Sequence, residues 1–231
     1  MTGVWLVTGT DTGVGKTVVT AALAACAGAR GLSAAVLKPA ESGAAPGVSD
    51  VDTVRRLAAP ASATALCRYP DPLAPRTAAR VAGLPELALP AVVAAVRQAR
   101  DRHEVVLVEG AGGLLVPMGR DGWTVADLAV ALRVPAVLVV RAGLGTLNHT
   151  ALALEALATR SVPAFVVLGA WPARPEPVHR YNLVDLPGEL AGVVPDGAGT
   201  LDPAGFRRAA PGWLSAALYG TADPARLRTP R

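Results

Sequence analysis

Apolar residues in this chain fall into short unbroken runs, set apart by stretches where they recur at helical spacing. The runs are residues 4–7, 34–37, 105–108, 136–140, 164–168 and 190–194, built mostly from Val, Leu and Ala. Lacking polar alternation, they predict strands buried on both faces, as in a parallel sheet. Residues 18–30 form an alanine-rich helical pattern that Gly31 stops. A second helix is predicted to open at Asp50, with Val51, Val54 and Leu57 along one face, and a third over 90–102 with Pro90 in its first turn. Thr124 is placed as the N-cap of a helix over 124–132, with Asp127 at the capping-box position. A long helix follows the turn at 144–148 and runs to 160, and 203–218 closes the fold with Trp213 and Leu214 inward. Strands alternating with helices predict an α/β fold. It is a single-domain, doubly wound, mainly parallel sheet flanked by helices, over 1–220.

Elsewhere the pattern lapses. Residues 43–49 are rich in Gly, Ala and Pro and read as a loop. Residues 60–90 carry six prolines and read as an irregular excursion with one short helix over 76–82. Residues 171–177 form a stiff, proline-rich loop, and 221–231 a flexible tail. No repeat or linker divides the chain.

Composition narrows the class. The chain has 231 residues, 52% of them hydrophobic and 17% charged, enough for a sizeable core and unlike a disordered protein. No apolar run reaches membrane-spanning length, and no basic leader precedes the first one. Cys26 and Cys67 make neither a disulfide framework nor a metal site. A cytoplasmic protein without membrane attachment is expected. The net charge of +4 comes from scattered arginines with few aromatics between them, which argues against nucleic acid as a partner. Of 22 cationic residues only Lys16 and Lys38 are lysine. A compact, mobile ammonium suits a moving phosphoryl group better than the fixed fork of arginine, so both lysines become candidates for chemistry.

Lys16 sits in Gly9-Thr-Asp-Thr-Gly-Val-Gly-Lys-Thr17, between the first apolar run and the first helix. Strand, glycine-rich loop, Gly-Lys-Thr and helix is the layout of a phosphate-binding P-loop. Backbone N–H groups of Thr12, Gly13, Val14, Gly15, Lys16, Thr17 and Val18 are the candidates for cradling nucleotide phosphates. Lys16 would reach the β- and γ-phosphates, and the Thr17 hydroxyl would ligate Mg²⁺. The generic spacing puts its first glycine at Thr10, whereas the chain has Gly9, so the loop is one residue longer.

Ligands of open parallel sheets sit at the carboxyl ends of the strands. Here those ends carry Lys38, Glu109 with Gly110-Ala-Gly-Gly113, and the turn Leu144, Gly145, Thr146, Leu147, Asn148. Magnesium needs hard oxygen ligands, which Thr17 and Glu109 supply, with Asp50 or Asp52 as the third. Asp11 is assigned to the turn. The 144–148 segment offers a helix N-terminus able to hold a carboxylate. No Ser/His/Asp or Cys/His arrangement is evident among residues that include His103, His149 and His179, so no protein nucleophile is expected.

Taken together, Gly9 to Thr17 with its long spacing, Lys38-Pro-Ala-Glu-Ser-Gly43, Val108-Glu-Gly-Ala-Gly-Gly113 and Leu144-Gly-Thr-Leu-Asn-His149 resemble the dethiobiotin synthetase family. The motifs run in order along residues 1–170. The resemblance implies a P-loop NTPase fold and an ATP-dependent carboxylation. 7,8-Diaminopelargonate and CO₂ or bicarbonate would give dethiobiotin, ADP and phosphate through a carbamate and a carbamic–phosphoric anhydride. It implies Lys16 and Lys38 as catalytic residues and Thr17, Asp50 and Glu109 on Mg²⁺. Thr12, Lys38, Ser42, Gly112 and Val116 would contact the diamine. The 144–148 turn of a second subunit would hold its distal carboxylate, in a homodimer with a shared active site. The nucleotide would lie against Glu109, Gly112, Gly169, Ala170, Trp171, Pro172 and Pro195. Two departures matter. Gly13 stands where some members carry an acid, and Gly169-Ala-Trp-Pro172 replaces an asparagine that reads adenine, so other nucleoside triphosphates could replace ATP. A partitioning or division-site ATPase switch would share the sheet, but such proteins usually carry an extra lysine where this chain has Thr8-Gly9-Thr10.

Overall fold

The computed structural model describes residues 3–43 and 49–228. Most of the loop expected over 43–49 and the last three residues of the expected tail lie outside the described residues. Seven strands form one sheet: β1 (Gly3–Gly9), β2 (Ala34–Ser42), β3 (Ser62–Tyr69), β4 (Val105–Glu109), β5 (Ala136–Val140), β6 (Ala164–Trp171) and β7 (Glu189–Pro195). Their order is β3-β2-β4-β1-β5-β6-β7, and every pairing is parallel. Eight α-helices accompany them among the described residues: α1 (Lys16–Ala29), α2 (Asp50–Ala58), α3 (Pro75–Val81), α4 (Leu89–Arg100), α5 (Val125–Leu132), α6 (Thr146–Ala158), α7 (Pro177–Asp185) and α8 (Pro203–Ala209).

The unbroken apolar runs have a simple cause. Successive side chains of a strand point to opposite faces, and both faces here are covered. Trp5 and Val7 of β1 join a core with Leu23 of α1, Leu57 of α2 and Phe206 of α8. Val4 and Leu6 of the same strand join the other core, with Val96 of α4, Leu128 of α5 and Leu157 of α6. The expected capping box at α5 is present, Asp127 N donating to Thr124 Oγ1 and Thr124 N to the Asp127 carboxylate at 2.8 Å.

Four stretches differ from expectation. Within 60–90 lies a full strand, β3, whose half-exposed Ser-Ala-Thr-Ala-Leu-Cys-Arg-Tyr has no apolar run because it sits at the sheet edge. The proline-rich loop after β6 is shorter, since Pro177 starts α7 behind an N-cap at Glu176. The closing helix stops at Ala209. The chain beyond Pro211 lies beside β7, where Val193 N donates to Trp213 O at 2.9 Å and Ser215 N to Ala191 O at 2.8 Å. The tail expected from 221 is tied to the body as far as Arg228: Thr221 N donates to Pro211 O, Ala222 N to Leu214 O, and Arg228 Nη2 to Gly188 O.

Candidate active site

The carboxyl ends of β1, β2 and β4 meet above α1, where the strand order turns on either side of β1. The loop from β1 to α1 is shaped by close packing. Gly15 caps α1 in the left-handed region, φ +97°, and a Cβ there would stand 2.6 Å from Gly169 O. A Cβ on Gly169 would in turn stand 2.0 Å from Val14 O. The end of β6 therefore touches the loop backbone to backbone. A Cβ on Gly9 would meet Val14 Cγ2 at 2.7 Å, so the longer loop uses its early glycine to admit the buried Val14 side chain. Lys16 lies buried with Nζ donating to Asp11 O at 2.8 Å, and Asp11 is itself paired with Arg141 at 2.7 Å. Burial, with the charge of Lys38 nearby, pulls the Lys16 ammonium below its ordinary 10.5.

Beside the loop four side chains from four elements converge. The Thr17 hydroxyl at the start of α1 stands 2.9 Å from Asp50 Oδ1 at the start of α2 and 2.8 Å from Glu109 Oε1 at the end of β4. One hydroxyl hydrogen faces two carboxylates. Lys38 Nζ on β2 lies 2.8 Å from the same Glu109 oxygen and 2.5 Å from Asp50 Oδ2. Burial opposes the charge on Lys38, yet Glu109 and Asp50 outweigh it and hold its pKa above 10.5. Burial likewise opposes ionised Asp50, but contact with Lys38 and Thr17 keeps its carboxyl below the ordinary 3.8. Asp52 points elsewhere: Ser49 Oγ donates to it at 2.8 Å, and Asp52 N donates back to Ser49 at 3.0 Å as the cap of α2. A hydroxyl and two carboxylates around one point match the hard oxygen set that Mg²⁺ takes beside a nucleotide.

A cleft of about 530 Å³ opens over these groups. It brings together Thr12, Gly13, Gly15, Lys16, Thr17, Val18, Lys38, Ser42, Asp50, Glu109, Gly112 and Val116 from the predicted set. Ser42 Oγ is buried without a hydrogen-bond partner among the described residues. Ala40 and the segment from Pro72 to Pro75 complete the wall. That segment lies in the proline-rich stretch, where no motif marked it. Val14 is packed beneath the loop. Ala170, Trp171, Pro172 and Pro195 stand at the ends of β6 and β7 outside the cleft, joined where Asp196 N donates to Trp171 O at 2.7 Å.

The 144–148 turn is also outside it. Gly145, φ +90°, caps α6 with no side-chain hydrogen bond, and Thr146 is buried against Thr150, so the first N–H groups of the helix have no side-chain cap. Leu144 is 86% exposed. Asn182 of α7, unmarked by any motif, donates to Ala142 O and Gly143 O and fixes the backbone leading into this turn.

Residues 4–195 match the family model described as an AAA domain. Among solved structures, the septum site-determining protein MinD with Mg-ADP from Pyrococcus horikoshii OT3 aligns with a TM-score of 0.58 and 16% identity, over 90% of both chains. The Pyrococcus furiosus cell division ATPase MinD gives 0.55 and 20%, over 91% of this chain and 97% of that one. At such identities the likeness shows the fold, and together with the loop it defines a P-loop nucleotide-binding α/β protein. The sequence relatives are more particular. The ATP-dependent dethiobiotin synthetase BioD of Rhodococcus jostii (strain RHA1) is 53% identical over 215 residues, 90% of this chain and 93% of that protein. The protein of the same name from Streptomyces avermitilis is 50% identical over 226 residues, 95% of each. The chain belongs to the ATP-dependent dethiobiotin synthetase family.

Proposed function

We propose that this chain closes the ureido ring of dethiobiotin from 7,8-diaminopelargonate, CO₂ and ATP. The observation that carries the reading is the convergence of Thr17, Lys38, Asp50 and Glu109 on one cleft, in a chain half identical to proteins of that name. One amine adds to CO₂ and loses a proton to give a carbamate. A carbamate oxygen attacks the γ-phosphorus and ADP leaves. The second amine then attacks the carbamoyl carbon and phosphate leaves. None of these steps needs a protein nucleophile, so the site works by positioning and charge stabilisation.

The loop N–H groups and Lys16 hold the phosphates. Thr17, Asp50 and Glu109 would hold Mg²⁺, which would supply positive charge against the triphosphate. Lys38 faces the carbamate and γ-phosphate. Thr12 and the unpartnered Ser42 hydroxyl bond the reacting amines, with Gly112 and Val116 beside them. The apolar Pro72–Pro75 wall suits the alkyl chain. Gly169-Ala-Trp-Pro172 offers no side-chain amide to read adenine, so triphosphates with other bases are expected to serve.

A homodimer completes the reading. Leu115 and Leu152, both at least half exposed, line a groove of about 390 Å³ along α6 that shares Val116 with the cleft. Covering this groove with a second copy would bring that copy's uncapped α6 N-terminus to the far end of the diamine, where a carboxylate needs a partner. Among the described residues no helix is long and apolar enough to cross a membrane. That agrees with work in the cytoplasm on small, soluble substrates.

The test is phosphate release and incorporation of labelled bicarbonate. Both are expected with diaminopelargonate and neither with DNA or lipid vesicles. Hydrolysis indifferent to the diamine would sink the proposal.

A further inference from the structure

We infer that Glu41 is a positioning residue that sets the place of Asp50. Glu41 lies in the Lys38-to-Gly43 motif, and its side chain is only 2% exposed. Neither of its polar partners among the described residues is a side chain of the Thr17, Lys38, Asp50, Glu109 cluster. Instead Oε1 accepts from Val51 N at 2.9 Å, and Oε2 accepts from Arg68 Nε at 2.9 Å. Val51 directly follows Asp50 and is buried. The next N–H, that of Asp52, is held by Ser49. Both amides after Asp50 are therefore tied, one by the helix cap and one by a carboxylate reaching across from β2.

The same strand carries Lys38, three residues earlier. β2 thus delivers the ammonium and also holds the helix that delivers its carboxylate partner. The separation between Lys38 and Asp50 is set through one short strand and one buried hydrogen bond. A carboxylate at the first turn of a helix is favoured by the dipole, and a buried one must have its oxygens bonded. Glu41 meets both conditions. Its contact with the half-exposed Arg68 is screened and weaker, so the bond to Val51 is the part that sets geometry.

The inference rests on the reading of Thr17, Asp50 and Glu109 as the metal set, and its test is built to fail separately. Mn²⁺ is titrated into the full chain saturated with ADP, and free ion is read by electron paramagnetic resonance against ADP alone. Losing a residue that orients a metal ligand typically weakens the metal about 10–100-fold, and Glu41→Ala is expected to raise the Mn²⁺ midpoint by that factor. Glu41→Gln keeps an acceptor for Val51 N and is expected to stay near the parent midpoint. Metal-free ADP affinity, carried by the loop, should be unchanged in both. An unmoved midpoint in Glu41→Ala overturns the inference, as does a parallel loss of metal-free ADP binding, which would mean that Glu41 serves the fold. A Gln variant as weak as Ala overturns the hydrogen-bond account. Asp50→Ala separates the two readings: no shift there defeats the metal assignment itself. A shift there with none in Glu41→Ala defeats only the role of Glu41.

Discussion

Lys38→Ala tests the centre of the site in two independent ways. Lys38 is 4% exposed and Glu109 1%, while the Asp50 side chain is 46% exposed. Removing the ammonium leaves Glu109 buried, with the Thr17 hydroxyl as its one remaining side-chain hydrogen bond among the described residues. Breaking a buried ion pair by deleting one partner costs about 3–5 kcal/mol, because the other charge stays desolvated. Most of that loss falls on the Glu109 side, since the Asp50 contact is screened by water. In a domain of this size each kcal/mol moves Tm by roughly 2–4 °C, so the ligand-free variant should melt about 6–20 °C lower. Lys38→Met with Glu109→Gln removes both charges and should recover much of the loss.

Catalysis separates from stability in the same pair of variants. On the proposed reading the loop and Lys16 hold the phosphates without Lys38, so ADP affinity should stay within a few-fold of the parent. Removing Lys38 also removes a charge that pulls the Lys16 pKa down, which favours phosphate binding. Turnover with the diamine should fall about 10²–10³-fold, the usual loss when a group aimed at developing charge is deleted. The double variant, which also loses the Glu109 carboxylate proposed for Mg²⁺, should be at least as slow despite its recovered Tm. Thermal melting, ADP titration and steady-state phosphate release measure the three quantities. Unchanged turnover in Lys38→Ala, or a Tm equal to the parent's, would refute the reasoning.

Four further outcomes are expected. Gly169→Ala must move Val14 O by more than 1 Å from the 2.0 Å approach of its new Cβ, which should weaken nucleotide binding at least tenfold; Gly28→Ala, in open space on α1, should stabilise by about 0.5–1 kcal/mol in urea unfolding. The folded pKa of Asp50 is depressed, so its contribution to stability is fully present above about pH 4 and disappears as pH falls through the lower folded value. Unfolding curves should therefore separate parent from Asp50→Asn at pH 7 and draw together as the pH is lowered below about 4. Leu152→Arg should give a monomer by light scattering, with a raised KM for the diamine and ADP affinity unchanged; a monomer with parental KM would remove the shared-site account.

The site was legible in the sequence wherever a single strand end carries its own chemistry. Lys38 and Glu109 each follow an apolar run directly, and Lys16 closes the glycine-rich loop that follows another, so the parallel-sheet pattern together with the loop motif predicts that they meet. Asp50 and Asp52 could not be told apart by pattern, because both open the same helix. The difference lies in rotamers, with Asp52 turned into the Ser49 cap. Strand β3 was hidden because an edge strand is only half buried and carries no unbroken apolar run. Glu41 was quoted with its motif but given no task, since its partners, Val51 N and Arg68, are set by folding and not by spacing. Gly169 read as a lost base contact, whereas its close approach to Val14 O is visible only once β6 lies against the loop.

The fold is shared with MinD proteins, so it cannot define the chemistry. What is particular here is the use of lysine at position 38 in a chain whose other cations beyond the loop are all arginine. Nζ points at Asp50 Oδ2, at Glu109 Oε1 and, at 3.4 Å, at Gly110 O, three acceptors delivered by the end of one strand and the start of a helix. An ammonium can donate in three directions from one point, while a guanidinium donates in a plane. Acceptors that come from separate elements select the former. On the proposed reading the same property would let one cation exchange a carboxylate for a phosphoryl or carbamate oxygen by rotating its stem, with no fork to realign. Lysine at this position is thus explained twice, by the geometry of the acceptors around it and by the demands of moving charge between them.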